Sequence, residues 1–474
     1  DTDHEIKKSL AVIDWLTLAL YFALSVYFLY KAMNRSIWGV GYYLLNFFGQ
    51  PQYWAWGQVL PGGMRWSLFS ALIMLGSVYL NGQETEFRED RGIKRTSMFA
   101  ILMAINGLIV QYAFSVNFEK SWPVYVEMAK FALLYFVMQK AIQSRRDFML
   151  LNWFLLCGLF YWGFEARILG NLKMEQGRLE NFGGPGCAKS NELANIVVSL
   201  LPVFVGLIAF VKWKEKFIAV GTILLGINLM MLTQSRGGFV GLIVSGLTIP
   251  LVASGRVRKR ALQGVALGIL AFVLLAGNPE IMARFMRTFT SDTSTLESKR
   301  DTTSSESRKF FWKVGLTMIE QTPFGTGGDT FDSKRARRIM QSRGAFHVNN
   351  SVHQGYINEA LDWGVQGLLI HLGFVFSAIW CAFKTMRFRK KIGDVAAAFY
   401  GPCLIGAFAA WLVGCLVGDF FYLEWGFWLV ILAVCYTRIF GQENYGVLAD
   451  TKVTQEQADD GDQDLLRELA VDGA

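Results

Sequence analysis

Two of the chain's four histidines lie in one long polar stretch. The second opens the run His353-Gln-Gly-Tyr356-Ile-Asn-Glu359-Ala-Leu-Asp362-Trp-Gly364, directly before an apolar span. Imidazole exchanges protons near neutral pH, so a histidine at a membrane's aqueous face, close to arginines, can do proton chemistry on a charged lipid. Two arginines upstream have the setting for it. Arg236 lies in Thr233-Gln-Ser235-Arg236-Gly-Gly238 between apolar spans, at a helix start where free N–H groups and the dipole favour an anion. Its two glycines permit close approach of a ligand. Arg308 opens Ser307-Arg308-Lys-Phe-Phe-Trp312, and Phe311, Val314, Gly315, Met318 and Ile319 recur at helical spacing. That predicts an amphipathic loop helix with Arg308 in its first turn. Each residue alone also fits a plainer role: Arg236 a snorkelling anchor, Arg308 a solvated surface charge, His353 a structural histidine.

Other constellations exclude chemistry. Gly183-Gly-Pro-Gly-Cys-Ala188-Lys189-Ser190 is one residue from a phosphate-binding P-loop, but neither the preceding strand nor a second acidic motif is present. Lys189 and Asn191 at the start of the next span read better as a cap or a second anion contact. His347, His353 and Asp362 match no metal-ligand spacing, so no metal is expected. The six cysteines are scattered, five of them within spans, and read as packing residues.

The elements that must position these residues are membrane helices. Hydrophobic residues make up 53% and charged ones 18%, too apolar for a soluble globe of this length. Lipid offers no partner to an open backbone, so the apolar blocks must be helical. They predict an all-α polytopic transmembrane bundle of about 12–13 spans. Basic clusters at Arg88–Arg95, Lys140–Arg146, Lys212–Lys216, Arg256–Arg260 and Arg387–Lys391 fall on one side if the spans alternate, which makes that side cytoplasmic. The net charge of +8 is thus topological, and no nucleic acid is expected as a partner. The expected organisation is N-terminal transmembrane helices over 1–276, an extracytoplasmic loop with amphipathic helices over 277–363, and C-terminal transmembrane helices over 364–440. A disordered acidic cytoplasmic tail follows over 441–474. Residues 37–48 are interrupted by Gln50-Pro51-Gln52 and fit a short or re-entrant segment as well as a full span, which leaves the side of the N-terminus open. The run 11–30 predicts an anchor and no cleavable signal.

With these pieces in order, the chain resembles the O-antigen ligase and polymerase superfamily of bacterial envelope glycosyltransferases. The resemblance rests on Asn191-Glu-Leu-Ala194 with Pro202, Ser235-Arg236-Gly-Gly, Arg308 with Trp312 and Pro323-Phe-Gly-Thr-Gly, and His353-Gln-Gly-Tyr356 with Asp362 and Gly364. It spans roughly residues 60–385, and 38–190 look most like the O-glycosylation ligase branch. Gln354 stands where the family usually has Asn, and Asp362 where it usually has Glu. The resemblance implies a multi-pass protein of the bacterial inner membrane with a periplasmic site. Such proteins move a glycan from an undecaprenyl-diphosphate carrier to an acceptor hydroxyl on a glycan, lipid or protein, without metal, nucleotide or other cofactor. Arg236 and Arg308 would hold the diphosphate and His353 would deprotonate the acceptor. Lys189, Asn191, Ser235, Tyr356, Asp362 and His347 complete the expected substrate-binding set, with Asp362 also placed to orient His353. A polymerase of lipid-linked repeat units would use the same chemistry. A transporter of lipid-linked glycan would instead need ionisable groups near the midplane, and mid-span charges are few.

Overall fold

A computed structural model describes residues 2–60, 64–81, 90–170, 173–175, 177–184, 186–275, 296–329, 331, 338–339, 341–342 and 351–441. His347, much of the 277–350 stretch and the acidic tail lie outside them. The described residues fold almost entirely into helices: α1 (Thr2–Ala32), α2 (Ile37–Gly49), α3 (Trp66–Leu80), α4 (Arg91–Ala113), α5 (Phe118–Ala141), α6 (Arg145–Arg167) and α7 (Ser190–Leu207). Then come α8 (Trp213–Thr233), α9 (Arg236–Val252), α10 (Gly255–Leu275), α11 (Leu296–Gln321), α12 (Gly355–Lys391), α13 (Val395–Gly414) and α14 (Glu424–Phe440). The one strand pair among the described residues joins Met174–Glu175 to Arg178–Leu179, antiparallel. This is an all-α polytopic protein.

Among the described residues, seven helices are long and apolar enough to cross a membrane: α1 from Asp14, α4, α6, α7, α8, α12 and α13. Several other apolar blocks form shorter helices, of 13 residues in α2, 15 in α3 and 17 in α9 and α14. At about 1.5 Å per residue, α2 covers roughly 20 Å, short of a hydrocarbon core of about 30 Å. It ends where Gln50 takes a left-handed φ of 34° before Pro51, and ten of its residues are buried. The segment is thus a short buried helix. Helix α14 is buried on every side from Glu424 to Thr437, as expected for an apolar helix at the centre of a bundle. It lies against α5 and α12, while α13 packs on α7, α9 and α12.

The feature that matters most for the site is a break in α12. Gly364 has φ 82° and ψ 165°, so 355–363 and 365–391 are two helices in sequence. The break frees the carbonyls of Leu361 and Asp362, which must find partners if buried. The turn after α11 supplies them. Thr326 N donates to Leu361 O at 3.1 Å and to Asp362 O at 3.2 Å, and Gly327 N donates to Asp362 O at 2.9 Å. Val365 N donates in turn to Pro323 O at 2.9 Å. Pro323-Phe-Gly-Thr-Gly is therefore a plug in the broken helix. Upstream, Phe311, Val314 and Met318 of α11 are buried with Val352 and Leu361, so α11 is docked on the segment that carries His353.

Helix α11 starts at Leu296, not beside Arg308. Arg308 therefore sits in mid-helix instead of the expected first turn. The polar run ahead of it contains no Gly or Pro to stop the helix, and the apolar face that suggested the start begins only at Phe311.

Candidate active site

His353 lies in a tight loop ahead of α12, and its backbone is left-handed at φ 54°. Such a conformation is uncommon for a residue with a Cβ and persists only where the surroundings impose it. Here the surroundings are the connection between α13 and α14. His353 N donates to Ser351 Oγ at 3.0 Å, and Ser351 Oγ is hydrogen-bonded to Asp419. Gln354 N donates to Asp419 Oδ1 at 3.1 Å, and Gly355 N donates to Cys415 O at 2.7 Å. The Gln354 side chain then caps α12, accepting from Ile357 N at 2.6 Å. One carboxylate, Asp419, thus fixes the loop that presents the imidazole.

The charges gathered around this loop act on one another. Burial holds the Arg308 guanidinium below its ordinary value, the adjacent Arg236 charge lowers it further, and Asp419 opposes both. Burial also pushes the His353 imidazole down; Asp419 raises it, while Arg308 and Lys189 lower it. The Asp419 carboxyl is raised by burial, against the pull of Ser351, His353, the Gln354 N–H and Lys189. Arg236, Arg308, His353, Lys189 and Asp419 therefore share one electrostatic site, although they come from five separate segments. A neutral imidazole is favoured near pH 7, which is the form a general base needs. The arginines and Lys189 leave the site rich in positive charge, ready for an anion.

Arg236 is half-buried at the first position of α9. Ser235 caps that helix by accepting from Gly238 N at 3.3 Å. The following glycines serve packing: a Cβ on Gly237 would meet Val417 Cγ2 at 2.6 Å, and one on Gly238 would meet Ala194 Cβ at 2.9 Å. They bring α9 against the α13–α14 connection and against α7. Ser235 Oγ donates to Asn191 Oδ1 at 2.8 Å, and Arg178 Nη2 donates to the same oxygen at 3.0 Å. Asn191 and Ser235 thereby join α7, the strand pair and α9 into a frame. The start of α7 is held by Glu180, which accepts from Ser190 N at 3.0 Å and from Ser190 Oγ at 2.6 Å. Lys189, just ahead of it, is exposed and stands 3.6 Å from Glu192.

Tyr356 and Asp362 are placed differently from the expected substrate contacts. Tyr356 donates its hydroxyl to Leu412 O at 2.9 Å and sets its ring edge-on to Phe421 at 5.0 Å. That docks the first turn of α12 to α13. Asp362 accepts from Tyr422 Oη at 2.9 Å and from Asn358 Nδ2 at 3.2 Å. The carboxylate acting on His353 is Asp419, since Asp362 faces Tyr422 beside the helix break. Asp419 escaped the sequence reading, although its position between the last two apolar spans puts it on the same side as His353. His347 lies outside the described residues, as does any role it has.

Fold and site together define a polytopic helical membrane protein with a cationic, histidine-bearing site at one end of its bundle. Residues 220–372 match the family model described as O-antigen ligase. The matched stretch holds Arg236, Arg308 and His353, and the likeness to O-antigen ligase is a likeness of that stretch. No curated protein matches the chain as a relative.

Proposed function

We propose that this protein is a membrane glycosyltransferase that moves a glycan from an undecaprenyl-diphosphate carrier to an acceptor hydroxyl at the periplasmic face, without metal or ATP. The observation that carries the reading is the meeting of Arg236, Arg308 and Lys189 with His353 and Asp419 at one end of the bundle. A diphosphate leaving group needs its growing charge neutralised, and two guanidinium groups can do so through paired, charge-assisted hydrogen bonds.

His353 takes the proton of the acceptor hydroxyl as its oxygen bonds to the anomeric carbon. The bond from that carbon to the diphosphate oxygen breaks, and the electron pair leaves with the carrier diphosphate, held by Arg236 and Arg308. The proton remains on His353, where the Asp419 charge favours the imidazolium. Direct displacement inverts the anomeric centre.

The test is transfer from a defined lipid-linked glycan by the purified protein in vesicles, with EDTA and without nucleotide. Turnover that disappears in His353→Ala while donor binding persists supports the reading. Normal turnover in that variant, or a strict need for a divalent ion, overturns it.

A further inference from the structure

The helices that hold the candidate active site at one end hold a second feature at the other. The last turn of α9, the first of α10, the end of α12 and the start of α13 enclose a solvent-open recess of about 410 Å³. That lies within the roughly 300–1,000 Å³ typical of small-molecule sites. Its floor is apolar: Val252, Val257, Phe383, Met386 and Ala398. Its rim carries Arg387, Lys390 and Lys391, all exposed, with Ser254 beside them. Lys390 Nζ donates to Ser254 Oγ at 2.5 Å, tying the end of α12 to the α9–α10 turn. Among the described residues no carboxylate lines the recess. The carboxylate just beyond it in sequence, Asp394, lies 3.6 Å from Arg389 Nη1.

Three cations at the end of a helix complement its dipole, and that alone would explain their sequence positions. It does not explain a recess between four helices with an oily floor and a basic rim that, among the described residues, no carboxylate lines. A ligand that fits both needs an anionic head joined to an apolar tail. In a bundle whose outer helices meet lipid, that chemistry is available at the headgroup level, and basic pockets between transmembrane helices suit it. We propose that the recess binds an anionic phospholipid, its phosphate between Arg387, Lys390 and Lys391 and its first acyl carbons against Val257, Phe383 and Met386. The inference rests on geometry at the far end of the bundle and is independent of glycan transfer.

The test uses the full chain in vesicles of phosphatidylcholine alone and of phosphatidylcholine with phosphatidylglycerol. After extraction, the lipid that stays bound and the thermal midpoint are measured. Phosphatidylglycerol is expected to be retained over phosphatidylcholine and to raise the midpoint. Removing the rim in an Arg387→Ala, Lys390→Ala, Lys391→Ala variant is expected to cut its retention on the order of tenfold or more. A Lys212→Ala, Lys214→Ala, Lys216→Ala variant, which deletes as much charge elsewhere at the same end, is expected to retain it. Val257→Phe fills the floor without touching a cation and is also expected to weaken retention, which covers the case of a rim variant that fails to fold. Equal losses in both charge-deleted variants would mean diffuse attraction and overturn the proposal. An equal rise in midpoint with inorganic phosphate alone would mean a free-anion site and overturn it too.

Discussion

At the scale of the residue, the proposed base is defined by what its neighbours do to its proton. Burial, Arg308 and Lys189 favour neutral His353, and Asp419 opposes them. The active form is the neutral imidazole, so the acidic limb of the kcat/KM profile is expected below the ordinary histidine value of about 6.5. Asp419→Asn should move that limb further down while lowering the rate, because the charge that stabilises the imidazolium is gone. Lys189→Met should move it up, because a repelling charge is removed. A limb that stays put in both variants would sever His353 from the charges assigned to it. Stability carries the same sign: between the lowered folded value and about 6.5 the unfolded chain binds more protons, so His353 makes stability fall as pH drops through that window. Arg308→Lys keeps the charge and loses the planar fork, and a loss of roughly tenfold to a hundredfold in kcat/KM is expected. Arg236, Arg308 and His353 each fitted a plainer role by local setting alone, and the resemblance is what singled them out together as candidates. Asp419 was not singled out, because nothing in Gly418-Asp419-Phe-Phe-Tyr422 says that its carboxylate turns to a loop far upstream.

At the scale of the element, the site depends on a helix that is broken on purpose-built terms. The glycine-rich turn after α11 satisfies the carbonyls that the Gly364 break exposes, and Gly325 is where backbone meets backbone. It has φ 93°, and a Cβ there would lie 2.5 Å from Gly364 N and 2.7 Å from Asp362 O. Gly325→Ala is therefore expected to destabilise the fold by about 1–3 kcal/mol and to lower turnover, since the same plug seats α11 and Arg308. Gly246→Ala in α9 is the matched control: a Cβ there meets nothing within 4 Å, and the helix should gain up to about 1 kcal/mol. Equal thermal midpoints for the two variants would remove the plug from the argument. Across the same break, His371 Nδ1 lies 2.9 Å from Glu359 Oε1, both buried, one in each half of α12. The sequence marked Gly364 at the end of the polar stretch and Pro323-Phe-Gly-Thr-Gly as one of the segments that carry the resemblance. It could not show that one fills the other, because a backbone hydrogen bond leaves no trace in side-chain types.

At the scale of the whole molecule, composition sufficed for the class, since an apolar chain of this length has no soluble solution. Hydropathy was less informative about spans, because a 13-residue helix buried in protein and a helix facing lipid are equally apolar. What the sequence implies and the fold makes testable is polarity. Helices α9, α12 and α13 carry the histidine site at one end and the Arg387–Lys391 rim at the other, so the two ends must face opposite compartments if these helices cross. The density of Lys and Arg at the rim end leads us to expect that end in the cytoplasm and the histidine end outside, where the proposed function would have it meet a translocated glycan. Single cysteines at two exposed positions read this directly: Glu320 on α11, which is docked over the site, and Arg258 on α10, beside the recess. Cys157, the exposed one of the six native free cysteines, is first replaced by serine to clear the background. In intact cells an impermeant maleimide is expected to label Glu320→Cys and to reach Arg258→Cys only after the membrane is opened. The reverse pattern would put the histidine site in the cytoplasm and end the case for transfer at the outer face; labelling of both in intact cells would mean that α9 and α12 do not cross together.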